Sequence, residues 1–526
     1  MTQDFHRDRR RLLQVAAASA CSLWLPRSAW SQPRLTGNPF SLGVASGSPT
    51  HDSIVLWTRL IAPGTLQSLG KDPVTVRWQM AHDEQFARIA QSGQAQAPAE
   101  LAHSVHVEVA GLEPDRWYFY RFMLGDAVSP TGRTRTFPAP DARAQKLRLA
   151  YASCQRWDHG YFTAWRHMRE ENLDAVLFLG DYIYEYPNAA KAVRVPTGGW
   201  VLTLDDYRQR YALHRGEAEL QAMHAACPWL VTWDDHEVQN DYAGAVAGNS
   251  GPAVADFPAR RAAAYQAFYE HMPVRASVLS KALAGVASGA EYRLYAQQRF
   301  GRLANIVMLD DRQYRDAQVC TPDGRLGSSN VNPAACPAWD DPARTLLGAT
   351  QEKWLDAAFA ASGDGWMVLG QQTLFGQRAF RNAAGNVFWN DGWDGYSAAR
   401  TRLTQSLQRH KVANPVLLGG DVHENWVGHV KADYSRPDSA TLGVEFCGTS
   451  ITSRSAGNQK IAGTLANNPH FVFADSEGKG YGVVEFTPSR LTTTLRVVDD
   501  VTSRDTKIST LRSFVVEAGR RQVEAA

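Results

Sequence analysis

Ala175-Val176-Leu177-Phe178-Leu179-Gly180-Asp181-Tyr182-Ile183-Tyr184 runs through five apolar residues, turns at a glycine and ends on an acid and two tyrosines. A short, unbroken apolar run is the mark of a strand buried on both faces, as in a sheet covered by helices. The pattern recurs at residues 229–233, 305–309, 366–369 and 415–418, and residues 147–153 precede it with Leu147-Arg148-Leu149-Ala150-Tyr151-Ala152-Ser153. Helical spacing at residues 161–171 and 351–361 falls between these runs. The expected architecture is therefore a layered α/β domain over residues 146–515, closed by strands at 482–486 and 491–498.

Residues able to hold ions gather just after these runs, where open α/β sheets place their sites. Cys154 follows the first strand, Asp181 and Tyr184 the second, Asp234-Asp235-His236-Glu237 the third, and Gly420-Asp421-Val422-His423 the last. Asn240 and Asp241 come shortly after the third. Taken singly, each has a bland reading: a helix cap, a turn, a charged loop or a buried thiol. Together, at equivalent strand ends, they read as a metal site. Cys154, Tyr184 and His423 offer thiolate, phenolate and imidazole, a set that suits iron. Asp235 and Asp421 offer hard oxygens for calcium, manganese or magnesium, and Asp181 can bridge the two groups. Two such ions clamp a displacement at phosphorus. His236 has no required ligand role there and can donate a hydrogen bond or protonate a leaving alkoxide.

The region before this domain reads differently. Residues 53–59, 74–79 and 104–109 alternate apolar with polar, and residues 116–122 form an aromatic-rich strand after the turn at 111–115. A small all-β domain of immunoglobulin or fibronectin type is expected over residues 38–140, with a linker at 138–146 and no cluster of ligand-type residues.

Composition narrows the function. The 526 residues are 44% hydrophobic and 21% charged, which excludes disordered and fibrous classes. Lys and Arg number 55 against 53 Asp and Glu, so no nucleic-acid-binding field is expected. Past residue 40 no apolar run is long enough to span a bilayer, and no stable membrane span is expected after processing. Residues 1–31 place Arg9-Arg10-Arg11 before an apolar stretch at 15–25 and a small-residue cleavage site at Ala29-Trp30-Ser31. That combination resembles a twin-arginine signal peptide, implying folded export by the twin-arginine machinery to the periplasm or beyond. Removing the signal takes Cys21 and leaves Cys154, Cys227, Cys320, Cys336 and Cys447. Cys320 and Cys336 flank a loop rich in proline, glycine and asparagine and are the disulfide candidates, while Cys227 and Cys447 read as buried small hydrophobes.

Gly180-Asp181-x-x-Tyr184, Asp235-His236-Glu237 and Gly420-Asp421-x-His423 resemble the metallophosphoesterase motif order, with Cys154 in place of its first aspartate, Asp235 for asparagine and Asp421 for histidine. Those substitutions, with residues 40–47, residues 232–238 and the export signal, resemble the alkaline phosphatase D (PhoD-like) family from about residue 38 to 500. The resemblance implies a metallophosphoesterase-type layered sheet domain and a secreted, metal-dependent phosphomonoesterase acting through a metal-bound hydroxide. The alternative it leaves is a phosphodiesterase, including phospholipase D-like cleavage of phospholipid head groups. It also implies that Cys154, Asp181, Tyr184 and His423 hold Fe3+, and that Asp181, Asp235 and Asp421, with Asn240 as a weaker candidate, hold one or two Ca2+. Relatives carry a histidine on the strand before the last motif. Here residues 370–373 contain none, so Gln371 or a water is expected to fill that position. Asp310 and Arg312 are read as a structural ion pair.

Overall fold

The computed structural model describes residues 37–188, 192–279, 292–322, 325–383 and 385–526. The signal peptide expected at 1–31 lies outside them. The chain divides into two compact units: the first takes the described parts of 1–139, 201–230 and 258–293, the second those of 140–200, 231–257 and 294–526. The second unit thus begins close to the expected linker, but the first is not one contiguous segment. It takes back the helices Leu204–Arg215, Ala218–Ala226 and most of Phe257–His271, which pack by contact rather than by chain order.

The first unit is built on eight strands: β1 (Val44–Gly47), β2 (Ser53–Arg59), β3 (Val74–Ala81), β4 (Ile89–Ala97), β5 (Ser104–Ala110), β6 (Trp117–Leu124), β7 (Ala127–Val128) and β8 (Gly132–Arg135). Antiparallel β1–β2–β5 and antiparallel β4–β3–β6, with β7 and β8 on β6, share an interior of Val44, Ile54, Leu56, Val76, Met80, Val107, Tyr118, Tyr120 and Phe122. Alternation along β5 and β6 sends every second side chain inward, as period two requires. The helix Leu204–Arg215 starts with a capping box, in which Thr203 Oγ1 accepts from Asp206 N and the Asp206 carboxylate accepts from Thr203 N.

In the second unit, β9 (Leu147–Ala152) and β10 (Ala175–Phe178) pair in parallel; β11 (Trp229–Val231) enters this unit with its last residue and leads into the following loop. The strands β12 (Ala296–Phe300), β13 (Ala304–Met308), β14 (Asn330–Val331), β15 (Trp366–Gly370), β16 (Phe380–Asn382), β17 (Gly385–Trp389), β18 (Pro415–Gly419), β19 (Asn425–Lys431), β20 (Thr441–Cys447) and β21 (Phe471–Asp475) come next. β22 (Lys479–Phe486), β23 (Arg490–Val498), β24 (Ile508–Glu517) and β25 (Glu524–Ala525) close the chain. β9 continues antiparallel into β22, β23, β24 and β25. A second sheet runs β12-β13-β15-β18-β20-β19-β21, with β13, β15, β18 and β20 parallel. The two sheets lie face to face. At Gly370 they approach closely: a Cβ there would sit 3.3 Å from Leu179 and 3.4 Å from Leu177. The helices Gly348–Ala360 and Ser397–Arg409 bury Leu355, Phe359, Leu403 and Leu407 with Val307, Leu369 and Leu417 on the other face of the second sheet. Mixed α/β layering is what the apolar runs implied. Cys320 and Cys336 are disulfide-bonded, and Cys154, Cys227 and Cys447 are free and buried. Among the described residues no helix is long and apolar enough to cross a membrane.

Candidate metal centre

Each candidate ligand leaves its strand through a backbone that departs from the strand direction at once. Cys154, Asp181, Asp421 and His423 all sit at positive φ (59°, 57°, 65° and 59°). Such angles are costly for residues other than glycine, and they cluster at functional sites because the surroundings enforce them. Gly180 precedes Asp181 at φ 109°, where a Cβ would lie 2.4 Å from the Asp234 Cβ; glycine is required there. Cys154 N donates to Gly180 O, and Thr232 N to Phe178 O, so the loops are tied at their roots.

The side chains converge in overlapping groups, one of which brings His236 to Asp181 and Asp235. The donor atoms of Cys154, Asp181 and His423 lie within 4.8 Å of one another. The Tyr184 hydroxyl joins them, 2.8 Å from Asp181 Oδ2, 3.3 Å from His423 Nε2 and 2.7 Å from Ser453 Oγ. His423 Nδ1 donates to Arg454 O at 2.9 Å, which fixes the ring and leaves Nε2 for the site. The second group is acidic: Asp234, Asp235 and Asp421 converge within the same limit, as do Asp235, Asp241 and Asp391. Asp181 Oδ1, Asp234 Oδ2, Asp235 Oδ1 and Asp421 Oδ2 are buried without a hydrogen-bond partner. Bare carboxylate oxygens inside a protein call for a cation, so the donor set fits metal binding.

The electrostatics agree. Burial, and then the neighbouring Asp181, push the Cys154 thiol well above its usual range. Burial and Asp181 do the same to the Tyr184 phenol. Without a cation both stay protonated. Burial and the Lys479 charge take His423 down to about 3, which keeps a neutral imidazole of the kind that binds metals. Burial works against Asp235, yet the charges of Arg312 and His236 hold it below the ordinary carboxylate range. Asp421 is pushed up to about 6, chiefly by burial.

His236 lies at the same cavity, its Nδ1 2.6 Å from Glu185 Oε2. Despite burial, the carboxylates of Glu185, Asp181 and Asp235 hold it well above its usual value. Its ring packs 4.1 Å from that of Tyr184. Glu185 is itself fully buried, with Oε1 accepting from Asn240 N at 2.8 Å. Pairing to Glu185 leaves Nε2 as the ring nitrogen available to a ligand. The cavity, of about 370 Å3, is lined by Asp181, Asp235, His236, Asp421 and His423, and also by Phe380, Trp389 and Arg378. Asn240 also lines it, so its placement is at the site.

Two expectations require correction. Arg312 does not pair with Asp310: its guanidinium binds Asp234 and, at 2.5 Å, Asp391, and lies 3.9 Å from Asp235 and 3.6 Å from Asp421. Asp310 turns away to accept from the backbone N of Arg312 and Gln313. Both follow the end of β13 at Met308, in a turn where Asp310 caps the backbone N–H groups of Arg312 and Gln313 and the Arg312 side chain is free to reach the acidic group. Gln371 does not face the ions either. Its Oε1 accepts from Thr373 N and Trp393 Nε1 and its Nε2 donates to Thr373 O, which consumes the amide. Residues missed by sequence reading are Glu185 and Asp391; Asp234 and Asp241, noted at the third strand end, join the acidic group as well. Asp391 lies 79 residues beyond its partner Arg312, and nothing local in the chain announces that contact.

The PhoD-like phosphatase family model matches residues 149–495, and the model of the PhoD-like phosphatase N-terminal domain matches residues 27–138. Alkaline phosphatase D of Bacillus subtilis (strain 168) is 43% identical over 539 residues, covering 98% of this chain and 89% of that protein. A solved structure of PhoD is 42% identical, covers 94% of this chain and 93% of its own, and superposes with a TM-score of 0.86.

Proposed function

Because the chain belongs to the PhoD-like phosphatase family and is a phosphoric ester hydrolase, we propose that it is a metal-dependent phosphomonoesterase exported by the twin-arginine route. The observation that carries the metal dependence is the meeting of a thiol, a carboxylate, a phenol and an imidazole (Cys154, Asp181, Tyr184 and His423) beside bare carboxylates. The first four would hold Fe3+, and Asp181, Asp235 and Asp421, with Asp241, Asp391 or Asn240 nearby, would hold Ca2+. Bound there, the ions would supply Lewis acidity to the phosphoryl oxygens and acidify a water for in-line attack.

The rest belongs to the protein's own side chains. Protonated His236 points Nε2 at the phosphoryl group or the leaving oxygen. Glu185 keeps the proton count and ring angle fixed through Nδ1, as a carboxylate does for a catalytic imidazole. Arg312 holds Asp235 ionised and ready by charge. Phe380 and Trp389 line the cavity where the alcohol would lie. The second reading is a phosphodiesterase, including cleavage of phospholipid head groups, whose second ester group a cavity of about 370 Å3 also has room for. The paired strands of the first unit support an immunoglobulin- or fibronectin-like domain over 38–140, and the arginine-led segment at 1–31 supports export to the periplasm or medium.

Metal analysis of protein recovered from its exporting cell, with turnover of p-nitrophenyl phosphate and bis-(p-nitrophenyl) phosphate, tests the proposal. Iron with calcium and faster monoester turnover support it. Faster diester turnover favours the second reading, and metal-loaded protein that cleaves neither overturns both.

A further inference from the structure

The cavity that gathers the candidate ligands is lined in part by a surface of different chemistry, one face of the small sheet β14, β17 and β16. Directly paired residues of antiparallel strands share a face, and neighbours along one strand do not. Phe380 is paired with Val387, two residues from Trp389, and Trp389 is paired with Asn330. Phe380, Trp389 and Asn330 therefore stand on one face, and all three line the cavity. Val331, Phe388 and Ala379 stand on the other, packed with Cys336 and Trp339 in a small core of their own.

That core and the chain around it fix where the rings lie. The disulfide between Cys320 and Cys336 ties the rear of the sheet. Asn390, directly after Trp389, accepts from Ser329 N at 2.6 Å and donates from Nδ2 to Val319 O at 2.9 Å. At the root of β16, Ala379 N donates to Asn468 Oδ1 at 2.9 Å and Ala379 O accepts from Asn468 Nδ2 at 3.0 Å. A wall held in this way gives up little freedom when a ligand meets it.

Charge beside the rings is already matched. The Arg378 guanidinium lies 5.0 Å from the centre of the Phe380 ring and gives Nη1 to Glu424 at 2.9 Å. Asp394 is held by Arg400 at 2.6 Å. Phe380 and Trp389 themselves are only half-buried. Half-exposed rings in a cavity, next to ion pairs, gain most from a planar apolar group that takes their faces out of water.

We propose that Phe380 and Trp389 select the alcohol of the substrate, favouring phosphate esters of aryl and arylalkyl alcohols over those of small aliphatic alcohols and polyols. The inference rests on the hydrolase reading of the same cavity, with the phosphoryl group at the carboxylates and the alcohol against the rings.

Benzylphosphonate and ethylphosphonate carry the same charge and contain no ester bond, so their binding to the metal-loaded protein reads the rings without turnover. In a calorimetric titration benzylphosphonate should bind roughly 10–100-fold more tightly than ethylphosphonate. Trp389→Leu and Phe380→Leu should each lower that ratio severalfold, through weaker binding of the benzyl compound. Equal affinity for the two phosphonates in the wild type, in protein that hydrolyses p-nitrophenyl phosphate, overturns the selection and leaves the hydrolase reading standing. A wild-type ratio that neither variant changes overturns the assignment to these two rings. Metal-loaded protein that cleaves no phosphate ester overturns the hydrolase reading and this inference together.

Discussion

Cys154 and His236 divide the work of the site at the scale of single residues. Burial and the Asp181 carboxylate both resist ionisation of the Cys154 thiol, so only a bound cation makes it a thiolate. Cys154→Ser replaces that sulfur with a hydroxyl of far poorer affinity for iron. The variant is expected to lose most of its iron and any visible absorbance arising from thiolate or Tyr184 coordination, read by elemental analysis and a spectrum. Full iron content would remove Cys154 from the shell. His236 spends Nδ1 on Glu185, and if Nε2 serves the substrate and not an ion, its loss should leave the ions in place. His236→Ala is expected to slow turnover by roughly 10²–10⁴-fold at unchanged metal content, with the larger loss on alkyl esters, whose leaving oxygens need a proton most. Equal losses on aryl and alkyl esters would argue for transition-state binding without proton donation.

Among elements, those that carry the site were the most legible. β9, β10, β15 and β18 are short apolar runs, and each announces its end by a change to glycine or polar residues. That placed Cys154, Asp181, Asp421 and His423 correctly at loop roots, because sites follow strand ends by topology. β4, Ile89–Ala97, was invisible: its Ala, Gln, Ser and Gly residues lie mostly at the surface and show no apolar period. Asp391 and the partners of Arg312 were equally hidden, since their contacts arise from the fold and not from spacing. Caps are the opposite case, written within four residues. The box joining Thr203 and Asp206 closes the helix that carries Arg215. Thr203→Ala removes one side-chain acceptor and should cost about 1 kcal/mol, measured as a lower urea midpoint at an unchanged slope. Thr203→Ser should recover most of it; equal losses in both would assign the effect to the methyl group instead of the cap.

The chain as a whole is nearly neutral, at +2, yet that balance is uneven. Asp181, Asp234, Asp235, Asp241, Asp391 and Asp421 are gathered within the second unit, and the buried cations hydrogen-bonded or ion-paired among them are Arg312 and Arg315. Folding draws these carboxylates together at an electrostatic cost that cations from outside must offset, so metal binding and stability are linked. Chelator-treated protein is expected to unfold at a lower temperature than the metal-loaded form, and added calcium should restore part of the difference. Arg312→Met takes away a fixed charge that contacts Asp234 and Asp391, and breaking a buried pair in this way typically costs about 3–5 kcal/mol. If the carboxylate group is held together by charge, calcium should raise the melting temperature of Arg312→Met by more than it raises that of wild type, since the ion then carries a larger share of the neutralisation. A calcium response identical in the two proteins would mean that Arg312 serves packing alone, and that the acidic group tolerates its own repulsion without help.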